Sequence, residues 1–277
     1  MIIEWNAHMF SSDTDRYPFH PRAAYIPNPQ QWSDDPLADY LARMDAEGID
    51  RAVLVQPEPY GDDHRLVLDC LQREPERFWG TSLFYPRDAD APDKLTDLVR
   101  RQPKIIATRF HAHRGKNEYF ENFAEPSVRA LWERAGDLGL IVELHIGPDY
   151  GAQVAEVIRA YPDVPVLIDH LAEPKMGNAV EYADILALAR LPWVYMKLSG
   201  LGHFADDGPL YLSAKGFTRL VIDAFGWERM VWGGGTPSIV DAHFDGASAM
   251  PRAQVKGDNL ARLLSVGTRR QRWSPGN

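Results

Sequence analysis

The 277-residue chain has a single cysteine, Cys70, and fewer basic than acidic residues. One cysteine cannot form an intrachain disulfide framework or a multi-cysteine zinc or iron–sulfur site. The 30 basic and 39 acidic residues give a formal net charge of −9. A protein that follows nucleic-acid phosphates is expected to carry the opposite balance. We therefore expect no nucleic-acid partner.

Long apolar stretches are absent as well. No run approaches the roughly 18 apolar residues that a membrane-spanning helix needs. Residues 1–5 lack the basic start and the long apolar core of a secretory signal. These absences predict a cytoplasmic protein without membrane contacts. With 45% hydrophobic and 25% charged residues, the composition is that of a globular protein rather than a disordered one.

Eight short apolar runs rich in β-branched residues alternate with stretches of helical periodicity. Runs that are apolar on both faces are typical of strands buried between two layers, as in parallel sheets. Helices are predicted over 37–44, ended by Gly48, over 128–138, ended by Gly139, and over 154–161, ended by Pro162. The predicted strands are 2–8, 52–56, 79–85, 105–111, 140–145, 164–170, 194–199 and 230–233.

This alternation indicates parallel strands joined by right-handed crossovers. A doubly wound sheet that binds a dinucleotide has a glycine-rich turn after its first strand, whereas this position reads Ala7-His8-Met9-Phe10-Ser11. Strand count and length therefore predict an α/β protein with a single (β/α)8 barrel over residues 1–277. We expect residues 9–35 to form a long loop after strand one. Residues 269–277 should form a polar, frayed tail.

Five of the nine histidines lie at the carboxyl ends of predicted strands. In a (β/α)8 barrel, these ends meet at the mouth where active sites are built. His8, His145 and His170 end strands one, five and six, and we predict them as the catalytic residues. His111 and His113 end strand four two residues apart, so both would face the same side.

Five segments resemble elements of the amidohydrolase superfamily, in the right order along the chain. The resemblance is to its amidohydrolase-related branch, which holds lactonases and zinc decarboxylases, and it implies a barrel enzyme with a small-molecule substrate. The segments are Ile3-Glu4-Trp5-Asn6-Ala7-His8, Val166-Leu167-Ile168-Asp169-His170, Tyr195-Met196-Lys197-Leu198-Ser199-Gly200, Met230-Val231-Trp232-Gly233-Gly234-Gly235-Thr236-Pro237 and Val255-Lys256-Gly257-Asp258-Asn259-Leu260-Ala261-Arg262-Leu263.

Two positions depart from the superfamily pattern. Asn6 replaces the first histidine of the first-strand pair, and Gly235 replaces the strand-eight aspartate that serves these enzymes as metal ligand or base. Neither residue restores the lost charge or basicity. Asp241 and His243 follow shortly after and could reach back over the site, although an aspartate there also suits a helix cap.

The resemblance also implies substrate-binding residues. It places Arg109 toward the substrate, where a guanidinium would hold a carboxylate in a bidentate fork. A salt bridge from Arg109 to Glu143 on the next strand is the structural alternative. Asn6 faces the lumen and could donate a hydrogen bond to a carbonyl oxygen. His111 and Ser199 complete the predicted set.

These residues favour a hydrolase of a small, carboxylated cyclic ester, a lactone or a related bond. Neutral imidazole at His145 or His170 would take a proton from the attacking water. Asp169 precedes His170 on its strand, so its side chain is expected on the opposite face. A metal-dependent decarboxylase or C–C lyase is the alternative that His145 favours. A non-catalytic binding barrel is the alternative that the two departures favour.

No cofactor is predicted. A single zinc or manganese ion on His8 and His145, with His170 as a third ligand, is the alternative, but three neutral imidazoles supply no anionic ligand. A small-molecule substrate is the expected partner. A homo-oligomer is left open.

Overall fold

The computed structural model describes residues 1–112 and 119–271, with side chains up to residue 265. Eight strands form one sheet in chain order, and each pairs in parallel with the next. A Cβ atom at Gly233 would lie 2.1 Å from the Trp5 carbonyl oxygen, so the approach of the last strand to the first requires glycine. The strands are β1 (Ile3–Ala7), β2 (Arg51–Leu54), β3 (Phe78–Leu83), β4 (Ile105–His111), β5 (Ile141–His145), β6 (Val166–Ile168), β7 (Val194–Leu198) and β8 (Met230–Trp232).

A helix follows each strand, which confirms the predicted α/β class and the (β/α)8 barrel. The described helices are α1 (Pro36–Glu47), α2 (Arg65–Arg73), α3 (Ala91–Arg101), α4 (Pro126–Asp137), α5 (Gly151–Ala160), α6 (Ala179–Ala187), α7 (Lys215–Phe225), α8 (Ser238–His243), α9 (Ala249–Ala253) and α10 (Asn259–Gln271).

Local signals explain why α1 forms where the sequence predicts it. The Asp35 carboxylate accepts the Ala38 N–H at 3.1 Å, and Pro36 occupies the first helical position. Gly48 ends the helix in the left-handed conformation, with φ of 68°. The helices predicted over 128–138 and 154–161 are likewise confirmed by α4 and α5.

The interior of the barrel is closed at the end where the strands begin. Leu260, Leu263 and Leu264 of α10 join a buried cluster that includes Ile3 and Ile141, the first residues of β1 and β5. Burying these side chains removes apolar surface from water at the amino-terminal end of the barrel. The carboxyl ends of the strands are thus left to form a cavity.

Two irregular segments were predicted, the connection after β1 and the carboxyl-terminal tail. Residues 9–35 do form the predicted connection after β1, with a short 3-10 turn at Pro29–Gln31. Of the tail predicted over 269–277, residues 269–271 belong to α10. Residues 272–277 lie outside the described residues. Among the helices described, none has both the length and the apolar character to cross a membrane.

Candidate active site

A cavity of about 290 Å³, here called the histidine cavity, opens at the carboxyl ends of the strands. It brings together side chains from six different strand ends and from the connection after β1. Its lining residues are Asn6, His8, Phe10, Tyr25, Gln31, Glu58, Arg109, His111, His145, His170, Gly200 and His203. Six predicted residues, His8, His145, His170, Asn6, Arg109 and His111, lie in this one cavity.

Four imidazoles form a row along one wall of the cavity. The ring centroids of His111 and His145 are 4.5 Å apart, those of His145 and His170 are 4.8 Å apart, and those of His170 and His203 are 5.1 Å apart. Parallel pairing sets His111 directly beside His145 on the neighbouring strand. The row therefore follows from the register of the strands and from the turns after them.

The turn after β6 gives His170 a direction that strand alternation does not predict. β6 ends at Ile168, and the chain then leaves the strand, with His170 at φ of 50° and Leu171 at φ of 52°. Leu167 belongs to the interior cluster, so Asp169, two residues further on, keeps the interior face, and His170 is the residue that departs from the alternation. The expectation that Asp169 lies on the face opposite to His170 was wrong. Ligand atoms of Asp169, His170 and His145 lie within 4.8 Å of one another.

Beneath the cavity, two cations and two carboxylates form a buried network. Lys197 Nζ donates to Glu143 Oε1 at 2.9 Å and forms an ion pair with Asp169 Oδ1 at 2.7 Å. Arg109 donates to Asp169 Oδ2 through Nη2 at 2.6 Å and through Nε at 3.0 Å. Its Nε also lies 4.0 Å from Glu143 Oε2, so the salt bridge weighed as an alternative is present but long.

Burial and charge act on the two carboxyl groups in different ways. Burial raises the pKa of Glu143, and the neighbouring Asp169 charge adds to this effect. Burial would also raise the pKa of Asp169, but Lys197 and Arg109 together hold it below its ordinary value. Asp169 is therefore the carboxylate that remains negatively charged and compensates the charges of Lys197 and Arg109.

The hydrogen bonds set the roles of the His145 nitrogens. Arg109 can only donate, so His145 Nδ1 accepts from Arg109 Nη2, at 2.9 Å. His145 Nε2 then carries the proton and donates to Glu173 Oε1 at 2.9 Å. His111 Nε2 lies 3.0 Å from the same Nδ1. Both nitrogens of His145 are thus occupied by protein groups.

His8 and His170 each have one nitrogen held by the protein. His8 Nδ1 donates to the Val55 carbonyl oxygen at 3.2 Å, so its Nε2 carries the lone pair. His170 Nδ1 lies 2.7 Å from Ser199 Oγ. Ser199, predicted as a substrate-binding residue, therefore lies behind His170 rather than in the lining of the histidine cavity.

Both imidazoles are neutral at physiological pH. Burial lowers the pKa of His8 to about 3, and the Arg109 and Lys197 charges act in the same direction. Burial also lowers the pKa of His170 well below its ordinary value, against the pull of the Asp169 carboxylate. Each ring can accept a proton only transiently, as a base in a reaction does.

The connection after β1 supplies the outer wall of the cavity through Phe10, Tyr25 and Gln31. Two contacts hold it in place. The Ala24 N–H donates to Glu58 Oε1 at 2.8 Å, and the Arg22 guanidinium donates to both carboxylate oxygens of Asp88, at 2.6 and 2.9 Å. The long predicted loop is therefore a structured part of the site.

Two candidates for replacing the strand-eight aspartate lie elsewhere. Asp241 lies within α8 and pairs with Lys256 at 2.7 Å, and it does not line the cavity. His243 is buried, with Nδ1 at 2.8 Å from Thr218 Oγ1 and Nε2 at 2.9 Å from the Leu210 carbonyl oxygen. His113 lies outside the described residues.

Several residues of the site were not assigned from the sequence, among them Lys197, Glu173, Glu58 and His203. Lys197 sits inside the barrel on β7, and its position at a strand end was the available signal. Glu173 accepts from His145 and from His203 Nδ1, the latter at 2.9 Å. Glu58 accepts from Tyr119 Oη at 3.1 Å. Glu58, Glu173 and His203 lie in or beside short 3-10 turns, where no periodicity points to them.

Within the described residues, one buried group has the spacing of a metal site, namely His145, Asp169 and His170. His8, a predicted ligand, is not part of it. Asp169 Oδ2 already accepts charge-assisted hydrogen bonds from Arg109, Asp169 Oδ1 lies 2.7 Å from Lys197 Nζ in an ion pair, and His145 Nδ1 accepts from Arg109. A divalent cation here would lie next to two fixed positive charges, so this donor set does not fit one.

Comparison with known proteins adds to this picture. A family model described as Amidohydrolase matches residues 4–255. The chain is 27% identical over 233 residues to a 4-sulfomuconolactone hydrolase from Hydrogenophaga intermedia, covering 83% of this chain and 73% of the relative. It is 29% identical over 214 residues to an L-fucono-1,5-lactonase from Burkholderia ambifaria, covering 75% and 71%.

A solved structure from Pseudomonas putida, named "Putative 2-Pyrone-4,6-Dicarboxylic Acid Hydrolase", superposes with a TM-score of 0.76 at 26% identity, covering 96% of this chain and 97% of that one. The family model covers most of the chain, from β1 to the start of the segment before α10. Three of the five segments quoted from the sequence lie wholly within this range, and the first and the last overlap its ends. The chain therefore belongs to the amidohydrolase family.

Proposed function

We propose that the protein hydrolyses a small lactone at the histidine cavity, with His170 as the general base and without a bound metal ion. The observation that carries this proposal is the convergence of neutral imidazoles and the Asn6 amide on one open cavity at the barrel mouth. A binding barrel with no reaction to perform has no need of such a set. The lactone-hydrolysing relatives named above support the same reaction class.

His170 is better placed as the base than His145. Both His145 nitrogens are held by Arg109 and Glu173, whereas the Ser199 hydroxyl holds only Nδ1 of His170. In the reactive tautomer, His170 Nδ1 donates to Ser199 Oγ, and Nε2 has its lone pair available for water. Ser199 thus positions the ring, and His8 Nε2 is a second acceptor in the same cavity.

The reaction begins when water attacks the lactone carbonyl carbon and His170 Nε2 takes the proton of that water. The carbonyl oxygen gains negative charge and accepts a hydrogen bond from Asn6 Nδ2. The ring C–O bond then breaks, and the proton on His170 Nε2 passes to the departing alkoxide oxygen. The product is an open-chain hydroxy acid, and His170 returns to its neutral form.

Arg109 would contact a substrate carboxylate through one nitrogen only. Its Nε and Nη2 already donate to Asp169 and His145, which leaves Nη1 for the cavity. The bidentate fork expected from the sequence is thus replaced by a single contact in this proposal. A carboxylated substrate remains our prediction.

The decarboxylase alternative depends on a metal ion, and the donor set around Asp169 does not fit one. The proposed hydrolysis therefore uses no metal ion. The protein is expected to act on a small molecule, and a location in the cytoplasm remains a prediction.

A panel of lactones followed by acid release tests this proposal. We expect the wild-type protein to open at least one lactone and His170→Asn to be slower by at least about a hundredfold. His243→Asn is the matched control, because His243 also bonds a hydroxyl through Nδ1 but lies outside the cavity. Equal rates for wild type and His170→Asn would assign His170 to the scaffold. No hydrolysis of any lactone would contradict the reaction class.

A further inference from the structure

A second cavity of about 370 Å³, here called the annex, opens beside the histidine cavity on the side of β7 and β8. The two cavities share Asn6, Gly200 and His203. A substrate held at His170 therefore has a direct path into the annex. The remaining annex residues are Leu198, Ser199, Leu201, Gly202, Tyr211, Gly234, Gly235 and Ile239.

The two cavities differ in charge. Arg109 and Glu58 line the histidine cavity. Of the residues that line the annex, all within the described ranges, none is Asp, Glu, Lys or Arg. A charged group moved into the annex would lose its water without gaining a counter-ion, which is costly. An uncharged polar group would face no such cost if it found hydrogen-bond partners.

Hydrogen-bonding groups for an uncharged ligand are present. Asn6 Nδ2 borders the annex, since a Cβ atom at Gly234 would lie 3.3 Å from it. The Tyr211 hydroxyl lies beside Gly202 of the annex, since a Cβ atom at Gly202 would lie 3.1 Å from Tyr211 Oη. An amide N–H donates and a tyrosine hydroxyl both donates and accepts, which matches the needs of an alcohol group.

The backbone holds Tyr211 over the annex at some cost. Tyr211 adopts φ of 50°, a left-handed conformation that side chains other than glycine disfavour. The turn is tied by the Tyr211 N–H to the Asp207 carbonyl oxygen at 3.2 Å and by the Ser213 N–H to Asp207 Oδ2 at 2.9 Å. Such a conformation persists only where the surroundings fix it, so the position of the hydroxyl is built into the fold.

We propose that the annex binds an uncharged, hydroxyl-bearing substituent of the lactone whose ring lies in the histidine cavity. The annex thus selects polyhydroxylated lactones over unsubstituted ones of the same ring size. This inference rests on the proposed function for its substrate class. The selectivity itself comes from Tyr211, Asn6 and the space above Gly202, Gly234 and Gly235.

The test compares kcat/KM for glucono-1,5-lactone with that for δ-valerolactone, which has the same ring without hydroxyl groups. We expect the wild type to prefer the hydroxylated lactone by at least about tenfold, because a site built to bond hydroxyl groups rejects the analogue that lacks them. Gly202→Leu fills the annex and should lower this ratio at least about tenfold. Tyr211→Phe removes one hydroxyl and should lower it by about threefold or more.

Gly216→Leu is the matched control, because Gly216 is also exposed and a Cβ atom there meets nothing within 4 Å. It should leave the ratio unchanged. Calorimetric binding of glucono-1,5-lactam, an uncharged analogue without the ester bond, gives a readout that does not need hydrolysis. We expect Gly202→Leu to weaken it at least about tenfold.

The outcomes separate the two proposals. If lactones are hydrolysed but neither Gly202→Leu nor Tyr211→Phe changes the ratio of the two kcat/KM values, the proposed role of the annex is contradicted. The lactone hydrolase proposal would then stand. No hydrolysis, but lactam binding that Gly202→Leu weakens, would support the annex and overturn the reaction. Absence of both hydrolysis and lactam binding in the wild type would overturn both.

Discussion

Lys197 Nζ lies 3.2 Å from Asn6 Oδ1, and this contact fixes which end of the Asn6 amide faces the substrate. A lysine ammonium only donates, so Asn6 must present its oxygen to Lys197 and its Nδ2 to the cavity. Lys197 in turn is held by a hydrogen bond to Glu143 Oε1 and by an ion pair with Asp169 Oδ1. Lys197 does not line the cavity itself. It is a positioning residue, because it orients the Asn6 amide so that Nδ2 faces the cavity.

Replacing Asn6 with aspartate tests that role. The carboxylate of Asn6→Asp would still accept from Lys197, but it would have no N–H for the developing oxyanion. We expect kcat/KM on a lactone to fall by at least about a hundredfold, as is typical for loss of an oxyanion donor. Circular dichroism should show the wild-type fold. A variant with full activity would remove Asn6 from the mechanism.

Removing Lys197 should destabilise the fold as well. Lys197→Met leaves the buried Asp169 and Glu143 carboxylates with Arg109 as their remaining cation. Breaking a buried ion pair from one side costs about 3–5 kcal/mol, which urea unfolding measures. The double variant Lys197→Met/Glu143→Gln removes the surplus carboxylate and should regain part of this loss. A double variant as unstable as Lys197→Met alone would argue against the charge balance.

The buried histidines predict how stability depends on pH. Burial lowers the pKa of His64 to about 4 and that of His8 to about 3, both below the 6.5 of an unfolded chain. As the pH falls below 6.5, the unfolded state binds protons that the folded state does not, so the free energy of unfolding decreases toward pH 4.

For His64 alone this loss amounts to about 2.4 kcal/mol between pH 7 and pH 4.5. Urea unfolding at pH 7.0, 5.5 and 4.5 measures the slope, and His64→Gln should make it shallower. A free energy of unfolding that stays constant over this range would show that the imidazoles titrate normally in the folded protein.

The fold was predictable because its signals are repeated. Eight apolar runs and the helices between them each carry local information, and the ends of parallel strands must meet at one edge. This placed His8, Arg109, His111 and His145 near one another from sequence alone. Their contacts follow from register, such as His111 beside His145.

The parts that the sequence did not reveal depend on where a strand stops. His170 lies near Asp169 and His145 because β6 ends at Ile168 and is followed by a left-handed turn that no periodicity marks. Lys197 is a long cation inside an apolar strand, and its role depends on two carboxylates far away in the chain. Glu58 and Glu173 lie in irregular connections, where charged residues are usually solvated.

Arg109 and Lys197 place two fixed positive charges beside Asp169 in the group with metal-site spacing, and we predict that the hydrolysis needs no metal ion. The direct test measures bound metal by plasma mass spectrometry and lactone hydrolysis on the same preparation, before and after dialysis against dipicolinate. We predict well under about one equivalent of zinc or manganese and a rate that chelation does not change. A stoichiometric metal ion whose removal abolishes the activity and whose return restores it would contradict metal-free hydrolysis.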